Sequence, residues 1–290
     1  MTVSSDLVSA IITTHNRIEL LKRAIESVLS QTYQNIECIV VDDSSDDGTE
    51  EYCGKLDNIV YIRISKNESR GGNYARNLGI KASKGEFIAF LDDDDYWLSE
   101  KIEKQVNLLK EKLCSLVFCG RKLEYVKKNA EIFYRDDLPN SKYKGDLSTE
   151  ILMSICTTTS AIFVKRDMLF EVGLFDENLK FWQEYELSIR LAQKTFFYFV
   201  NEPLVVYRVD LNDSQRLTNK YYAWMEAVDY IKGKHHKLYN RLTFFQRVRC
   251  KRLISNDAVV RCKNSGMLCR SVFYRIFSLF LKCILIFDFQ

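Results

Sequence analysis

The chain has 290 residues, 47% of them hydrophobic, which is ample for a buried core and excludes extended disorder. Its net charge is only +3, from 42 Lys+Arg against 39 Asp+Glu, which argues against a protein built mainly to coat nucleic acid. The nine cysteines include no CxxC pair, so they indicate neither a disulfide framework nor a zinc knuckle and favour a reducing cytosol.

The near-neutral total hides an uneven distribution of charge. Residues 241–290 carry ten Lys+Arg and two Asp+Glu, a net charge of +8. Residues 1–240 carry the remaining 32 Lys+Arg and 37 Asp+Glu, a net charge of −5. A mildly acidic body therefore ends in a strongly basic tail. Residues 1–17 lack the basic and apolar regions of an export signal, so we expect the body to be cytoplasmic.

Short apolar runs alternate with helix-period segments through the first 120 residues. The predicted strands are 8–13, 36–41, 59–64 and 87–91. The predicted helices are 18–29, 49–56, 72–83 and 100–113. This alternation is typical of βαβ units and predicts an α/β fold with a mainly parallel sheet.

The pattern loosens after residue 120. The polar stretch 121–146 indicates a hairpin or a variable excursion. Regularity returns with the predicted strand 161–164, the helix 184–194, two strand-like runs on either side of Pro203, and the helix 221–231. Because no linker interrupts the chain, one continuous domain through about residue 210 is the simpler interpretation.

Two clusters of carboxylates follow predicted strands, where ligands bind in open α/β sheets. In the first, IECIVVDDSSDDGT, Asp42 and Asp43 come directly after a buried run. For Asp46 and Asp47 we favour an Asx turn and a cap for the next helix. Asp43 differs, because a strand-end carboxylate can accept from a ring N–H or a hydroxyl of a nucleoside.

The second cluster, FIAFLDDDDYW, places Asp92, Asp93, Asp94 and Asp95 directly after the fourth strand. Adjacent carboxylates repel one another, and a divalent cation removes that cost. Oxygen ligands without nearby His or Cys favour Mg²⁺ or Mn²⁺. The alternative is a solvated acidic turn that caps the next helix, but the position at a strand end favours the metal site.

Four fragments together resemble the family 2 glycosyltransferases with the GT-A nucleotide-diphospho-sugar transferase fold. They are VSAIITTHNRIELLKRAIESVLSQT, IECIVVDDSSDDGT, RGGNYARNLGIKASKGEFIAFLDDDD and WQEYELSIRL, and the resemblance covers about residues 7–210. It implies transfer of a sugar from a nucleotide donor to an acceptor hydroxyl, with Mn²⁺ or Mg²⁺ on the diphosphate. We expect inversion at the anomeric carbon, because a single base acting on the acceptor gives one in-line displacement and no nucleophile for a double displacement stands out.

The resemblance implies a nucleotide site at the first two strand ends. Thr13, His15 and Asn16 would border the nucleoside, and Asp43 would read the base. Arg76 would face the nucleotide, although a role as a partner for the acidic cluster fits nearly as well.

The resemblance also implies the metal ligands and the catalytic base. Asp92, Asp93 and Asp94 correspond to the DxD element, with Asp94 as the direct metal ligand and Asp92 nearer the ribose or a metal-bound water. Glu184 matches the base that deprotonates the acceptor, with Gln183 in place of the family's first acid. A first-turn acid favoured by the helix dipole is the alternative for Glu184 and for Glu186.

Two further positions leave alternatives open. Asp210 stands where many relatives have a histidine, and it would be either an oxygen ligand or a turn cap. In the tail, residues 271–287 place Arg275 and Lys282 on one helix face, with large apolar residues over the rest. This pattern favours an interfacial helix on an anionic leaflet. A helix pair packed on the domain or in a homo-oligomer is the alternative.

We therefore expect a GT-A domain over 1–215, with a nucleotide-sugar half (1–120) and an acceptor half (121–215), and a basic helical extension over 216–290. The expected enzyme uses a UDP-linked donor and a glycan or lipid-linked acceptor for a surface polysaccharide such as O-antigen or capsule. It would work peripherally on the inner face of the plasma membrane, without nucleic acid. The alternatives are a metal-dependent nucleotidyltransferase, for which no glycine-rich basic loop is visible, and a non-catalytic membrane or nucleic-acid binding module.

Overall fold

The computed structural model describes residues 4–127, 129, 131–213 and 217–289. These residues group into two compact units. The sheet unit comprises the described residues of Met1–Leu147, Cys156–Asn178 and Gln183–Asn212. The helical unit comprises those of Ser148–Ile155, Leu179–Trp182 and Asp213–Gln290. The division into domains at residue 215 stays a prediction.

Strands and helices alternate in the first part of the sheet unit, as predicted. In the described part of the chain, the strands are β1 (Ser4–Thr14), β2 (Ile36–Asp43), β3 (Ile59–Ile64), β4 (Gly85–Asp92), β5 (Tyr96–Trp97), β6 (Leu116–Val126), β7 (Ile132–Asp137), β8 (Phe163–Lys165) and β9 (Phe197–Asp210). The helices of the sheet unit are α1 (Ile18–Leu29), α2 (Thr49–Cys53), α3 (Gly72–Ala82), α4 (Lys101–Lys112), α5 (Arg166–Val172) and α6 (Gln183–Ala192). The helical unit contains α7 (Tyr221–Lys234), α8 (His236–Asn240), α9 (Phe244–Asn264) and α10 (Leu268–Ile286).

The strands form one sheet in the order β3-β2-β1-β4-β8-β6-β9-β5, and β7 pairs with β6. The β3-β2-β1-β4 half is parallel, whereas β8 runs antiparallel to both β4 and β6. The α/β class is thus confirmed. The sheet is mixed rather than mainly parallel beyond β4, because the short strand β8 enters it in the opposite direction.

The strand register brings the two acidic strand ends to the same edge of the sheet. Strand β1 lies between β2 and β4, with Thr14 opposite Asp42 and Thr13 opposite Asp92. The carboxyl ends of these three parallel strands therefore flank one another, as ligand sites in open α/β sheets require.

Close packing fixes the helices beside this edge. On α1 the predicted apolar face is buried at Leu21, Ala24, Ile25 and Val28, whereas Leu29, at the last position of the helix, is 39% exposed. On α3, a Cβ atom at Gly79 would lie only 2.5 Å from Ile11 Cγ2 of β1. Only glycine lets α3 approach β1 this closely, which carries the first turns of α3 towards the strand ends.

The strands of the second half of the sheet confirm one prediction and correct another. The stretch 121–146 contains the antiparallel β6–β7 pair, so the predicted hairpin is confirmed. The two strand-like runs around Pro203 are in fact a single strand, β9. Proline is tolerated there because the register between β6 and β9 shifts at Gly120, which pairs with Pro203, and such irregularities need fewer ladder hydrogen bonds.

In the helical unit, α9 and α10 form an antiparallel pair. Ser271 Oγ donates to the backbone oxygen of Val259 at 2.9 Å, and Ser278 Oγ donates to Asn256 Oδ1 at 2.5 Å. Small serines on the inner face of α10 allow the two helices to approach closely. None of the helices in the described residues is both long and apolar enough to cross a membrane.

Candidate active site

The loop after β1 is tied to both neighbouring strand ends. Thr14 Oγ1 donates to Asp93 Oδ2 at 2.7 Å, which joins β1 to the turn after β4. On the other side, the Asn16 backbone N–H donates to Ser45 Oγ at 2.8 Å, and Asn16 Oδ1 accepts from the Asp46 backbone N–H at 2.8 Å. Asn16 has φ of 52°, a left-handed conformation that asparagine tolerates. Thr13, His15 and Asn16 are thus held beside both acidic strand ends.

Asp42 and Asp43, although adjacent, have different environments. Asp42 is fully buried, and its carboxylate accepts from the Ser45 backbone N–H at 2.9 Å and from the Tyr61 hydroxyl at 2.7 Å, with Arg63 Nη1 at 3.3 Å. These contacts shape the loop after β2. Asp42 therefore has a structural role.

Asp43 has one buried carboxylate oxygen, Oδ1, that is not hydrogen-bonded to any described residue. Its backbone oxygen, by contrast, lies 2.6 Å from His15 Nδ1. Buried carboxylate oxygens are almost always hydrogen-bonded, because an unmet acceptor costs free energy. An orphaned oxygen at a strand end is what a donor group of a bound ligand would satisfy.

The four consecutive aspartates after β4 alternate between solvent and interior. The side chains of Asp92 and Asp94 are 30% and 37% exposed, whereas Asp93 and Asp95 are each 1% exposed. The chain turns here, with the Asp95 backbone N–H donating to the Asp92 backbone oxygen at 3.0 Å, and the turn directs Asp93 and Asp95 inward. Two of the four carboxylates can therefore meet a ligand directly.

The two buried aspartates anchor the turn. Asp95 accepts from Ser160 Oγ at 2.6 Å and from the Arg208 backbone N–H at 3.0 Å, while Asp93 accepts from Thr14. Burial raises the pKa of the Asp93 carboxyl to about 7, although Arg17 opposes the shift, and burial also raises the pKa of Asp95. Asp93, expected to contact the nucleotide, is thus directed into the interior.

Two arginines hold the two partly exposed aspartates. Arg76 Nη2 of α3 lies 2.5 Å from Asp92 Oδ1, and Arg76 is itself 6% exposed and held by Asn73 Oδ1 at 3.2 Å. Arg17 Nη1 lies 2.9 Å from Asp94 Oδ2. The pair between Arg76 and Asp92 corresponds to the second of the two roles expected for Arg76, as a partner of the acidic cluster.

Two acids, Glu184 and Glu186, lie in the first turn of α6 and differ in burial. Glu186 is fully buried, and Arg190 binds it through Nε at 3.0 Å and Nη2 at 2.7 Å. Arg190 Nη1 also donates to the backbone oxygen of Val172 in α5. Glu184 is only partly buried. Of the two, Glu184 is the more exposed to solvent.

Asp210, at the end of β9, behaves as a turn cap. It accepts from the Asn212 backbone N–H at 2.9 Å and from Arg208 Nη2 at 2.8 Å. Burial would raise the pKa of Asp210, but these hydrogen bonds outweigh it and hold the pKa below its usual value. These contacts correspond to the second of the two roles expected for this residue.

Several residues of the site escaped the sequence analysis. Arg17 carried one visible signal, as the first basic residue after the β1 loop. Ser160 and Arg208 carried none, because they reach Asp95 across 65 and 113 residues of chain. Arg23 of α1 also contributes, since its Nη2 donates to the backbone oxygen of Asp94 at 3.0 Å.

No three His, Cys, Asp or Glu side chains of the described residues are arranged to hold a metal ion by themselves. A Mg²⁺ site needs less than that, because this ion is usually bound by one or two carboxylates together with substrate phosphates. Asp92 and Asp94 supply two hard, partly exposed carboxylates at one strand end, so the residues present fit such an ion.

Comparison with known proteins identifies the family. The sequence model described as "Glycosyl transferase family 2" matches residues 9–169, more than half of the chain. The chain belongs to glycosyl transferase family 2. The matched range contains β1 from residue 9 onward, β2 to β4, the loop after β1 and both acidic clusters.

Individual relatives agree with this assignment. An uncharacterized glycosyltransferase of Rickettsia typhi is 37% identical over 209 residues, which cover 71% of this chain and 64% of that protein, so the chain spans less than two thirds of its length. The Escherichia coli protein WfaP, named a UDP-Glc:alpha-D-GlcNAc-diphosphoundecaprenol beta-1,3-glucosyltransferase, is 44% identical over 104 residues, 36% of this chain and 41% of WfaP.

A solved structure matches the fold. The mannosyltransferase PcManGT of Pyrobaculum calidifontis, in complex with GDP-Man and Mn²⁺, aligns with a TM-score of 0.60 at 16% identity, over 92% of this chain and 73% of that one. At this identity the similarity concerns the fold alone. It confirms the GT-A fold that the sequence predicted.

Proposed function

We propose that this family 2 protein is an inverting glycosyltransferase that moves a sugar from a nucleotide-sugar donor to a hydroxyl of a glycan or lipid-linked acceptor in cell-surface polysaccharide synthesis. One observation carries the proposal. The orphaned oxygen of Asp43 and the partly exposed carboxylates of Asp92 and Asp94 lie at the same sheet edge, on either side of β1. Two strand spacings, about 10 Å, separate them, a span that a nucleoside diphosphate can bridge.

In the proposed donor complex, Asp43 Oδ1 accepts a hydrogen bond from a ring N–H of the base. Thr13, His15 and Asn16 border the nucleoside, because their loop is fixed between the two acidic strand ends. We infer a UDP-linked donor from the UDP-Glc in the name of WfaP. On this proposal, residues 1–120 form the donor half of the site and 121–215 the acceptor half.

Asp94 and Asp92 would hold a divalent cation together with the diphosphate of the donor, with Asp94 as the direct ligand. We propose Mn²⁺ or Mg²⁺, supported by the oxygen donor set and by the Mn²⁺ named for PcManGT. When bound, such an ion stabilises the negative charge that grows on the leaving diphosphate. Arg76, paired with Asp92, would orient that carboxylate.

Glu184 would be the general base. Its carboxylate takes the proton of the acceptor hydroxyl while the hydroxyl oxygen forms its bond to the anomeric carbon and the bond to the diphosphate oxygen breaks. A single displacement of this kind inverts the anomeric configuration. Glu186 is unsuited to this role because Arg190 holds it in the interior.

The proposed acceptor and cellular location also rest on the comparison with WfaP. WfaP is named for an acceptor linked to diphosphoundecaprenol, and on that basis we propose a lipid-linked acceptor for this chain. An enzyme acting on such a lipid must reach a membrane surface. We therefore propose that it works as a peripheral protein on the cytoplasmic face of the plasma membrane.

The test is a transfer assay with a panel of nucleotide sugars and undecaprenyl-linked acceptors. We expect product with one donor, release of the nucleoside diphosphate, and loss of activity with EDTA that Mn²⁺ or Mg²⁺ restores. Release of pyrophosphate from a nucleoside triphosphate would instead identify a nucleotidyltransferase. Activity that survives chelation would contradict the metal role.

A further inference from the structure

The face of α10 that points away from α9 is apolar and exposed. The inner face is marked by the buried residues Ser271, Ser278 and Leu281. At about 100° per residue, the apolar side chains on the opposite side fall within one arc of roughly 140°. Each is at least 56% exposed; they are Leu268, Val272, Phe273, Ile276, Leu279, Phe280 and Ile286, with Phe287 directly after the helix. We call this set the outer strip.

Basic residues border the outer strip on one side. Arg275 and Lys282 are exposed, and their separation of seven residues places them on the same margin of the helix, two turns apart. Within Leu268–Ile286 the charged residues are Arg270, Arg275 and Lys282, and none is acidic. The helix thus combines a continuous apolar face with charge of a single sign.

This combination decides between two occupants of the strip. In a symmetric contact between two copies, each copy would present the same cationic margin, and α10 offers no acidic side chain to pair with it. An anionic bilayer has the complementary charge at its surface and an apolar layer directly beneath. Contiguous exposed apolar surface of this extent marks an interaction site rather than ordinary solvent-facing surface.

We propose that the outer strip of α10 is the surface by which the protein docks on an anionic lipid bilayer. The helix lies in the interface, where Phe273, Ile276 and Phe280 enter the boundary between headgroups and acyl chains. Arg275 and Lys282 extend sideways along the helix and bind lipid phosphates. The proposal rests on the proposed function only for the biological purpose of the contact, which is to bring the enzyme to a lipid-linked acceptor.

Flotation of the full chain with lipid vesicles tests this surface, without any donor or acceptor. Vesicles of phosphatidylcholine with phosphatidylglycerol should bind the protein more tightly than phosphatidylcholine alone. The triple variant Phe273→Ser/Ile276→Ser/Phe280→Ser should lower the partition coefficient at least about tenfold. The matched control is Leu113→Ser/Phe170→Ser/Phe196→Ser, because those side chains are also exposed and apolar but belong to the sheet unit. It should bind as the wild type does.

A charge variant separates the two parts of the surface. Arg275→Gln/Lys282→Gln should weaken binding to anionic vesicles roughly tenfold and leave binding to neutral vesicles unchanged. Equal flotation of the wild type and the outer-strip variant would overturn the proposal. So would a wild type that fails to float but forms a dimer in sedimentation velocity that the outer-strip variant abolishes.

A second readout keeps this proposal apart from the proposed function. With a water-soluble acceptor, the outer-strip variant should retain wild-type transfer, because its substitutions lie outside the sheet unit. If the wild type itself shows no transfer with any donor but still floats through the outer strip, the docking surface stands and the proposed function fails.

Discussion

One guanidinium, that of Arg17, joins a buried carboxylate and a partly exposed one. Arg17 Nη2 lies 3.2 Å from Asp93 Oδ1, and Arg17 Nη1 lies 2.9 Å from Asp94 Oδ2. The positive charge thus stands beside the carboxylate proposed to bind the metal directly. Arg17 compensates for the repulsion that the acidic cluster would otherwise suffer, and it must share Asp94 with any cation that binds there.

Replacing Arg17 by alanine should therefore destabilise the fold and increase its response to metal. Loss of the partner of buried Asp93 should lower the free energy of unfolding by about 1–2 kcal/mol, a value reduced by the 46% exposure of Arg17. Thermal unfolding in EDTA and in Mn²⁺ checks this, because Mn²⁺ should raise the melting temperature of Arg17→Ala more than that of the wild type. Arg17→Lys is the control and should lie between them. Equal Mn²⁺ shifts in all three proteins would contradict the competition.

Asp94→Asn should remove metal-dependent transfer while the protein stays folded. The substitution keeps the shape of the side chain but removes the charge of the proposed ligand, so we expect a loss in kcat of at least about 100-fold. Steady-state transfer across a Mn²⁺ series is the measurement. Asp57→Asn, which changes an exposed aspartate just before β3, at the opposite end of the parallel strands, is the matched control. Full activity of Asp94→Asn would reassign the metal ligand.

Asp43→Asn should weaken nucleotide binding through the base alone. Loss of a charge-assisted hydrogen bond to a ring N–H should raise the Kd for UDP roughly tenfold to 100-fold. Calorimetry with UDP and with inorganic diphosphate, both with Mn²⁺, separates the base from the phosphates, since diphosphate binding should not change. If both ligands lose affinity equally, Asp43 acts on the metal site and does not read the base.

The sequence predicted well where the acidic strand ends lie, and poorly which hydrogen bonds and ion pairs their side chains make. The acidic clusters could be placed because hydrophobic periodicity locates buried strands, and the carboxylates follow directly in the chain. The different environments of Asp92 and Asp93 could not be foreseen, because they depend on contacts with other elements, Arg76 of α3 at Asp92 and Thr14 of β1 at Asp93. Pro203 led to the wrong prediction of two separate strands for a related reason. Only the register of β6 with β9 shows that β9 continues through this proline.

Substitutions of the two α6 acids should affect different properties, activity for Glu184 and stability for Glu186. Glu184→Gln should reduce transfer by about 10²–10⁴-fold with donor binding intact, because an amide cannot take the acceptor proton. Glu186→Gln should instead lower the free energy of unfolding by about 3 kcal/mol, since it leaves the mostly buried Arg190 without its counter-charge. Transfer rates and urea unfolding on the same two proteins give the comparison. A Glu186→Gln protein that is stable but inactive would contradict this assignment and would make Glu186 the general base.

Lys101 provides a stability test outside the proposed site. Its side chain is fully buried, its Nζ donates to Gln105 Oε1 at 2.7 Å, and it lies 4.0 Å from the centroid of the Trp97 ring. Burial lowers the pKa of Lys101 from 10.5 to about 8. The folded state therefore releases this proton more readily than the unfolded state does.

The pH dependence follows from those two values. Below about pH 8 both states hold the proton on Lys101, so this residue gives no slope. Between about 8 and 10.5 only the unfolded chain holds it, so the contribution of Lys101 to the free energy of unfolding rises by about 1.4 kcal/mol per pH unit. Buried thiols such as Cys38, whose pKa burial raises to about 12, change stability in the opposite direction. The informative quantity is therefore the difference between the wild type and Lys101→Met, in which those shared contributions cancel. In urea unfolding from pH 7.5 to 10, the free energy of unfolding of the wild type should rise relative to that of the variant as the pH rises. A constant difference would mean that Lys101 keeps an ordinary pKa in the folded protein.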